Sequence, residues 1–370
     1  MSNEIIAQKK NTVIVMPCDY GICGNIRLLD NVRILQSRFF DGNFLPLVTP
    51  RPIFDDTILA TTRAIVIQRA YTSQMLGIVA KYHDLKEKYG YKIVYDVDDL
   101  LFDVDQFYRF PIYLPAYDIY GDNKHGRTAL EIMQLCDAVN VSTRPLGEAI
   151  RLAGFDGEIN YVPNTIPLYL YGLIKKPNRI NNIIKPHVLY AGGKSHYKPG
   201  FTGDFTKPWI DWIIKNVENG SIKFSMFGSE APDFLKPIEG NSNFNLIGEV
   251  NYLDFPNTLR AVNADFHIAP LTSNGFNACK SDIKMLQAYA VDAVFIGTRF
   301  GGTISPYDNS INWIYYDGTL DEIDSLFNSL LNKDLYNSTI DKQRAYLLEN
   351  SMYSESTEAQ TRFIKSLCIN

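Results

Sequence analysis

Residues 95–105 read YDVDDLLFDVD, five carboxylates in eleven positions, directly after the apolar run KIV. Three kinds of chemistry suit such a cluster. Paired carboxylates can hold a divalent ion through hard oxygen ligands. A carboxylate crowded by like charges has a raised proton affinity, which helps a general base or a clamp on a hydroxyl. Short acidic side chains also cap turns and tie down backbone. Asp98 and Asp99 follow a strand at its carboxyl end, where open α/β sheets bind ligands, and are the candidates for handling an incoming hydroxyl. Asp103 and Asp105 read as turn caps, and one of Asp96, Asp98 or Asp99 is expected to tie down local backbone.

Positive charge collects in the other half of the chain. LYAGGKSHYKPGF (189–201) joins Gly192 and Gly193 to Lys194, His196 and Lys198 after an apolar run. Flexible backbone and ammonium groups at a strand end suit a phosphate, whose charge grows as a bond to it breaks. In NGFNACKSDIKMLQAYA (274–290), Lys280 and Ser281 stand where a helix begins, so free N–H groups, the helix dipole and a cation converge on one point. Ile283, Leu286 and Ala290 form the buried stripe of that helix, while Lys284 and Gln287 share a face that taken alone reads as wet surface. In PCDYGICGNIRLL (17–29), Gly21 and Gly24 let backbone approach a ligand or simply serve strand-to-helix packing. The stretch lacks G-x-G-x-x-G, which argues against a tight pyrophosphate site there.

The elements that must position these residues follow from periodicity. Short branched apolar runs at 12–16, 44–48, 64–68, 92–96, 138–142 and 159–163 alternate with helical patterns near 25–40, 74–89, 127–136 and 145–153. The segment 163–186, rich in proline and asparagine, interrupts the rhythm. Strand patterns then resume at 187–192, 222–228, 244–248, 266–271, 293–298 and 312–317, with helices near 207–216, 253–262, 281–290, 319–331 and 333–349. The expected fold class is α/β, two doubly wound Rossmann-like units meeting at a cleft. At 370 residues the chain exceeds what one core usually serves. A net charge of −5 lacks the basic footprint of a protein that grips nucleic acid through phosphates. Cys18, Cys23, Cys136, Cys279 and Cys368 show no zinc spacing and are expected as reduced thiols. No apolar run approaches the roughly 20 residues of a membrane span, and the first residues lack a secretory pattern, so a cytoplasmic protein is expected.

VIVMPCDYGICGNIRLL, KIVYDVDDLLFDV, YVPNTI, LYAGGKSHYK, ADFHIAPL and NACKSDIKMLQAYA, in that order, resemble the GT-B glycosyltransferases of the glycogen-synthase-like group, which has retaining members. The resemblance implies an acceptor-binding domain over 1–170, a linker over 171–186, a nucleotide-sugar-binding domain over 187–350 and a last helix in 351–370 that crosses back to the first domain. It implies transfer of a sugar, with retention, from a nucleotide-sugar, a UDP-sugar foremost, to a hydroxyl. The aspartates resemble the D-x-D that holds a divalent ion in the other large glycosyltransferase fold, but the lysines of the second half can neutralise a diphosphate without a metal, so none is expected to be required. Lys198 then resembles the basic residue on the donor diphosphate, with Lys194 or His196 beside it. Lys280 and Ser281 match the loop that cradles diphosphate and sugar. Gln287 replaces a glutamate that binds the donor ribose, and a glutamine loses the charge-assisted bond. Asp292 stands where glycine is usual. The style of the chain also resembles tailed-phage enzymes, some of which decorate hydroxymethylated DNA bases. A base flipped toward the aspartates would want a basic rim from Arg109, Lys124, Arg127 and Arg144, yet acids outnumber bases in residues 1–170. An envelope saccharide or lipid-linked sugar is the rival acceptor. A GT-B module that binds nucleotide or glycan without transfer and a nucleotide-sugar epimerase are the rival functions.

Overall fold

A computed structural model describes residues 10–38, 44–102, 124–172, 184–193, 196, 203–228, 230–302 and 304–367. The first sheet comprises β1 (Thr12–Met16), β2 (Leu45–Val48), β3 (Thr62–Gln68), β4 (Lys92–Val97), β5 (Ala138–Val141) and β6 (Glu158–Tyr161), ordered β2-β1-β3-β4-β5-β6. The second comprises β7 (His187–Tyr190), β8 (Lys223–Phe227), β9 (Phe244–Ile247), β10 (Phe266–Ala269), β11 (Val294–Arg299) and β12 (Asn312–Tyr315), ordered β12-β11-β10-β7-β8-β9. Every pairing in both sheets is parallel. The expected α/β architecture is therefore present twice.

Why these runs become strands is visible in their burial. TVIVM of β1 and all of β4 after Lys92 are buried, because helices cover both faces of a parallel sheet. Strand order reverses beside β1 in the first sheet and beside β7 in the second. A crevice opens at such a switch, beyond the carboxyl ends of the strands. The stretches singled out above follow β1, β4, β7 and β10, so chain topology alone gathers them.

Short elements escaped the periodicity. Helices Asp56–Thr61, Leu168–Tyr171 and Gly275–Ala278 have six residues or fewer, too few to show a stripe. The helix after β1 opens at Ile22–Gly24 and widens into a π turn at Asn25–Leu29. That turn carries Arg27, whose guanidinium is buried among β4 and the end of β6.

The helix Thr357–Ser366 lies on the first sheet, with Phe363 and Leu367 in one cluster with Val13, Val15 and Leu28. Asn140 Nδ2 on β5 donates to Ser366 Oγ at 3.1 Å. Ser356 caps the helix, its Oγ accepting from Ala359 N at 3.0 Å. Ser356→Ala should cost about 1 kcal/mol of unfolding free energy, the usual loss of an N-cap. Urea denaturation followed by tryptophan fluorescence would measure it; an unchanged midpoint would mean that this helix melts apart from the rest. No helix among the described residues is long and apolar enough to cross a membrane.

Candidate active site

The lobe of the first sheet contributes carboxylates. β4 is buried from Ile93 to Val97, and Asp98 and Asp99 emerge just beyond it. Asp96, still inside the strand, is the residue that ties down structure: Arg27 Nε and Nη2 donate to its two oxygens at 3.0 and 2.9 Å. Asp98 and Asp99 line the interlobe cleft instead. Their counter-ion is Arg69, at the end of β3, with Nη1 at 3.5 Å from Asp98 Oδ1 and Nη2 at 3.1 Å from Asp99 Oδ2. Arg69 adopts φ 47°, a left-handed conformation uncommon for a side-chain-bearing residue, and its N–H donates to Asp96 O at 2.9 Å. Such strain often marks a site where geometry has been fixed for function. The Asp98 carboxyl is pushed up to about 6, chiefly by burial; Arg69 opposes the shift and Asp99 adds to it. Crowding by like charge is thus the lesser cause. Asp103 and Asp105 lie outside the described residues.

The glycine turn after β1 serves a different end from ligand approach. Asp19 Oδ1 accepts from Gly21 N at 2.8 Å and Gly24 N at 3.0 Å, so the chain fills its own anion-attracting helix start. A Cβ on Gly24 would stand 1.9 Å from Asp19 O, which makes that glycine a requirement of close packing. Gly24 itself does not line the cleft. Its neighbours Ile22, Cys23 and Ile26 do.

The second lobe contributes cations around one buried carboxylate. Gly192 and Gly193 continue from β7 along the cleft wall, and His196 is buried just beyond them. Asp204, fully buried, lies 2.6 Å from His196 Nδ1 and accepts from Asn277 Nδ2 at 2.6 Å and Thr272 Oγ1 at 3.1 Å. With Nδ1–H donating to that carboxylate, Nε2 is left as an acceptor, a tautomer assigned from the network. Lys284 Nζ approaches Nε2 at 3.3 Å and Lys280 Nζ at 3.4 Å. A Cβ at Gly192 would lie 2.8 Å from Lys284 Nζ and 2.3 Å from Tyr190 Oη, so a side chain there would displace the lysine or the tyrosine.

The balance of charge is uneven. Two ammonium groups share one carboxylate in a desolvated corner, and the cost appears in their proton affinities. Burial, then the Lys280 charge, brings Lys284 down to about 7, with Asp204 opposing. Burial lowers Lys280 as well. Burial and the two lysines hold His196 down at about 3, hence neutral. An entering anion would relieve all three. Lys194 and Lys198 lie outside the described residues.

Ser281 and Gln287 complete the wall. Asn164 Nδ2, on the first crossover between the lobes, donates to Ser281 Oγ at 2.8 Å. Gln287, buried, lines the cleft on the helix Ile283–Ala290. Beyond it Phe227, Gly228, Glu249, Val250 and Phe255 form an apolar slot with one acid. The whole cleft has a volume of about 500 Å³, within the range of small-molecule sites. Among the described residues no group of three or more His, Cys, Asp or Glu side chains is placed to hold a metal ion.

Sequence reasoning missed Lys284, Arg69, Asp204 and Glu249. For Lys284 a signal existed, since it lies three residues before Gln287 on the same helical surface. Arg69 and Asp204 carried none, because their partners are remote in the chain or unremarkable in type.

No family model matches the chain, and no curated protein matches it in sequence. Solved structures do match it in shape. HepE from Anabaena, in complex with UDP-glucose, superposes with a TM-score of 0.60 at 12% identity, over 96% of this chain and 99% of that one. A glycosyltransferase from Rickettsia africae gives 0.57 at 12% identity, over 98% and 99%. TarM gives 0.53 at 16% identity over 83% of this chain, which spans 55% of the TarM chain. The fold is GT-B. In GT-B terms, Asp98, Asp99 and Arg69 belong to the first lobe and His196, Lys280, Lys284 and Gln287 to the second, and one cleft holds both sets apart from Arg69, which stands behind the carboxylates.

Proposed function

We propose that the protein is a glycosyltransferase that moves a sugar from a UDP-sugar to an acceptor hydroxyl. One observation carries the reading: a cationic corner built from His196, Lys280 and Lys284 shares a single cleft with the carboxylates of Asp98 and Asp99. The diphosphate sits against the lysines, with Gly192, Gly193 and Ser281 giving backbone and hydroxyl contacts. Gln287 reaches the ribose. Lys194 and Lys198 join the diphosphate contacts by resemblance.

In the transfer step the acceptor oxygen forms a bond to the anomeric carbon as the bond from that carbon to the diphosphate oxygen breaks. UDP leaves with the bonding pair, and Lys280 and Lys284 stabilise the charge that develops on it. Asp98 accepts the hydroxyl proton, and Asp99, held by the same arginine, orients the hydroxyl. Retention of configuration, proposed from the resemblance, requires the hydroxyl to attack the anomeric carbon on the face that the diphosphate leaves, and nuclear magnetic resonance of the product anomer tests it. HepE, described as bound to UDP-glucose, supports the choice of uridine nucleotide.

Asp98→Asn should lower kcat by about 100-fold or more, the usual share of a positioned base, while the Kd for UDP stays within about twofold. The acid limb of kcat/KM in the unmodified enzyme should fall near pH 6, because the carboxylate form is lost below that value. Arg69→Gln should move that limb upward by removing the opposing cation. Loss of UDP affinity in parallel with turnover would overturn this division of roles.

Gln287 favours a second reading, a module that binds nucleotide without transfer, because a neutral amide stands where the resemblance expects a carboxylate. Hydrolysis of UDP-sugars without acceptor separates the two: a transferase leaks sugar to water, and a binding module leaves the donor intact. The acceptor is an alcohol, and assays with hydroxymethylated DNA and with saccharides separate the two sources of that hydroxyl.

A further inference from the structure

A second cavity, of about 510 Å³, lies between the lobes. It is separate from the cleft described above, and two chain segments form the common wall. Ser281 and Asn164 face the first cleft, whereas their neighbours Asp282, Pro163 and Thr165 face the second. Two bonds across the lobes close that wall: Asn164 to Ser281 at 2.8 Å, and Thr143 Oγ1 to Cys279 O at 2.7 Å. Both crossovers contribute to the lining, the second through residues 349–352.

The side chains on this cavity are poorly matched among themselves. Asp282 precedes the helix Ile283–Ala290 but makes no capping bond, and among the described residues it has no ion pair. Burial raises its carboxyl to about 6. Arg144, at the start of the helix Arg144–Leu152, lies with its guanidinium 5.4 Å from the Tyr161 ring centre and likewise has no carboxylate partner among the described residues. Arg362 stands 5.6 Å from the same ring and is paired with Glu358. Asp282, Arg144 and Arg362 all act electrostatically on Tyr161, so they surround one space without an ion pair between acid and Arg144.

That pattern selects a ligand by elimination. A dianion would meet Asp282 and Glu349, and a cation would meet Lys280, Arg144 and Arg362. A neutral molecule carrying several hydroxyls satisfies both sides: one donates to Asp282 and another accepts from the planar guanidinium of Arg144. Ile304, Pro306 and Met352 add apolar surface for a face of C–H groups. We infer that this second cavity is a binding site for a neutral saccharide ring, distinct from the nucleotide cleft and sharing its Lys280–Asp282 wall. The inference concerns sugar binding alone and does not require that the protein transfer sugar.

Saturation-transfer nuclear magnetic resonance tests it with methyl glucoside, methyl galactoside, N-acetylglucosamine and maltose as probes, and glycerol phosphate as the charged comparison. At least one neutral sugar should give a signal that persists with saturating UDP and in Lys284→Ala, since both act on the other cleft. The signal should disappear in Arg144→Ala and in Asp282→Asn, with circular dichroism and thermal unfolding checking that each variant folds. Absence of signal from every neutral sugar, a signal that survives both replacements, or stronger binding of glycerol phosphate would overturn the assignment. UDP affinity, measured separately by calorimetry, reports on the nucleotide cleft whatever the sugars do.

Discussion

Arg27→Met should lower the unfolding free energy by about 3–5 kcal/mol, the cost of leaving one member of a buried ion pair without its partner. Arg27 and Asp96 are each 1% exposed and meet through two parallel bonds. Nη1 of the same guanidinium donates to Val162 O at 2.6 Å and Asn164 Oδ1 at 2.9 Å. A single side chain thereby joins the π turn after β1, the end of β4 and the first crossover. Methionine fills much of the volume but satisfies none of these acceptors, and the Asp96 carboxylate would have to take up a proton or admit water.

Chemical denaturation of Arg27→Met, of Asp96→Leu and of the double variant closes a thermodynamic cycle. The double variant should recover part of the loss, because two apolar groups replace the pair without leaving a buried charge, while Val162 O and Asn164 Oδ1 still lose their donor. Additive losses would show that Arg27 and Asp96 act independently. The consequence reaches the site, since Asp98 and Asp99 hang from the strand end that Arg27 fixes and Asn164 holds Ser281 across the lobes.

Much of this architecture was legible because parallel strands buried on both faces write long branched apolar runs, as in TVIVM and AIVIQ. The carboxyl ends of such runs then point to where polar residues matter, which is why Asp98, Asp99, Gly192, Gly193, Lys280 and Ser281 could be named from residue type and position. What could not be read was how each polar group is satisfied. Gly21 and Gly24 offer the same free N–H groups whether a ligand or Asp19 takes them, and only the folded turn shows that Asp19 does. An arginine after β3 looks like any solvated charge until β4 brings two carboxylates against it. Asp204 is an acid in a loop whose value lies in total burial beneath His196 and Asn277. Lys284 was assigned to wet surface because the helix alone does not disclose that Gly192 and Tyr190 roof it over.

The roofing of Lys284 makes nucleotide binding depend on pH in a direction that can be worked out. In the free protein its ammonium form is lost as pH rises through about 7. A diphosphate placed against it favours the charged form, so the complex binds one proton more than the free protein above that pH. UDP affinity should therefore weaken by up to tenfold per pH unit above 7, until the higher proton affinity in the complex is reached. The terminal phosphate of UDP, with a second ionisation near 6, is fully charged throughout the window from about pH 7.5 to 9 and contributes no opposing trend. Calorimetry in two buffers of different ionisation enthalpy should register uptake of close to one proton at pH 8.5. Lys284→Gln should abolish that uptake and flatten the pH dependence, whereas Lys280→Ala, by removing the neighbouring positive charge, should shift the onset to higher pH. Replacing both lysines removes two charge-assisted contacts of about 1.5–3 kcal/mol each and should weaken UDP by about 100-fold or more at pH 7. A double variant that binds UDP as tightly as the parent protein would place the diphosphate elsewhere, and the cationic corner around His196 would lose its reading as the donor site.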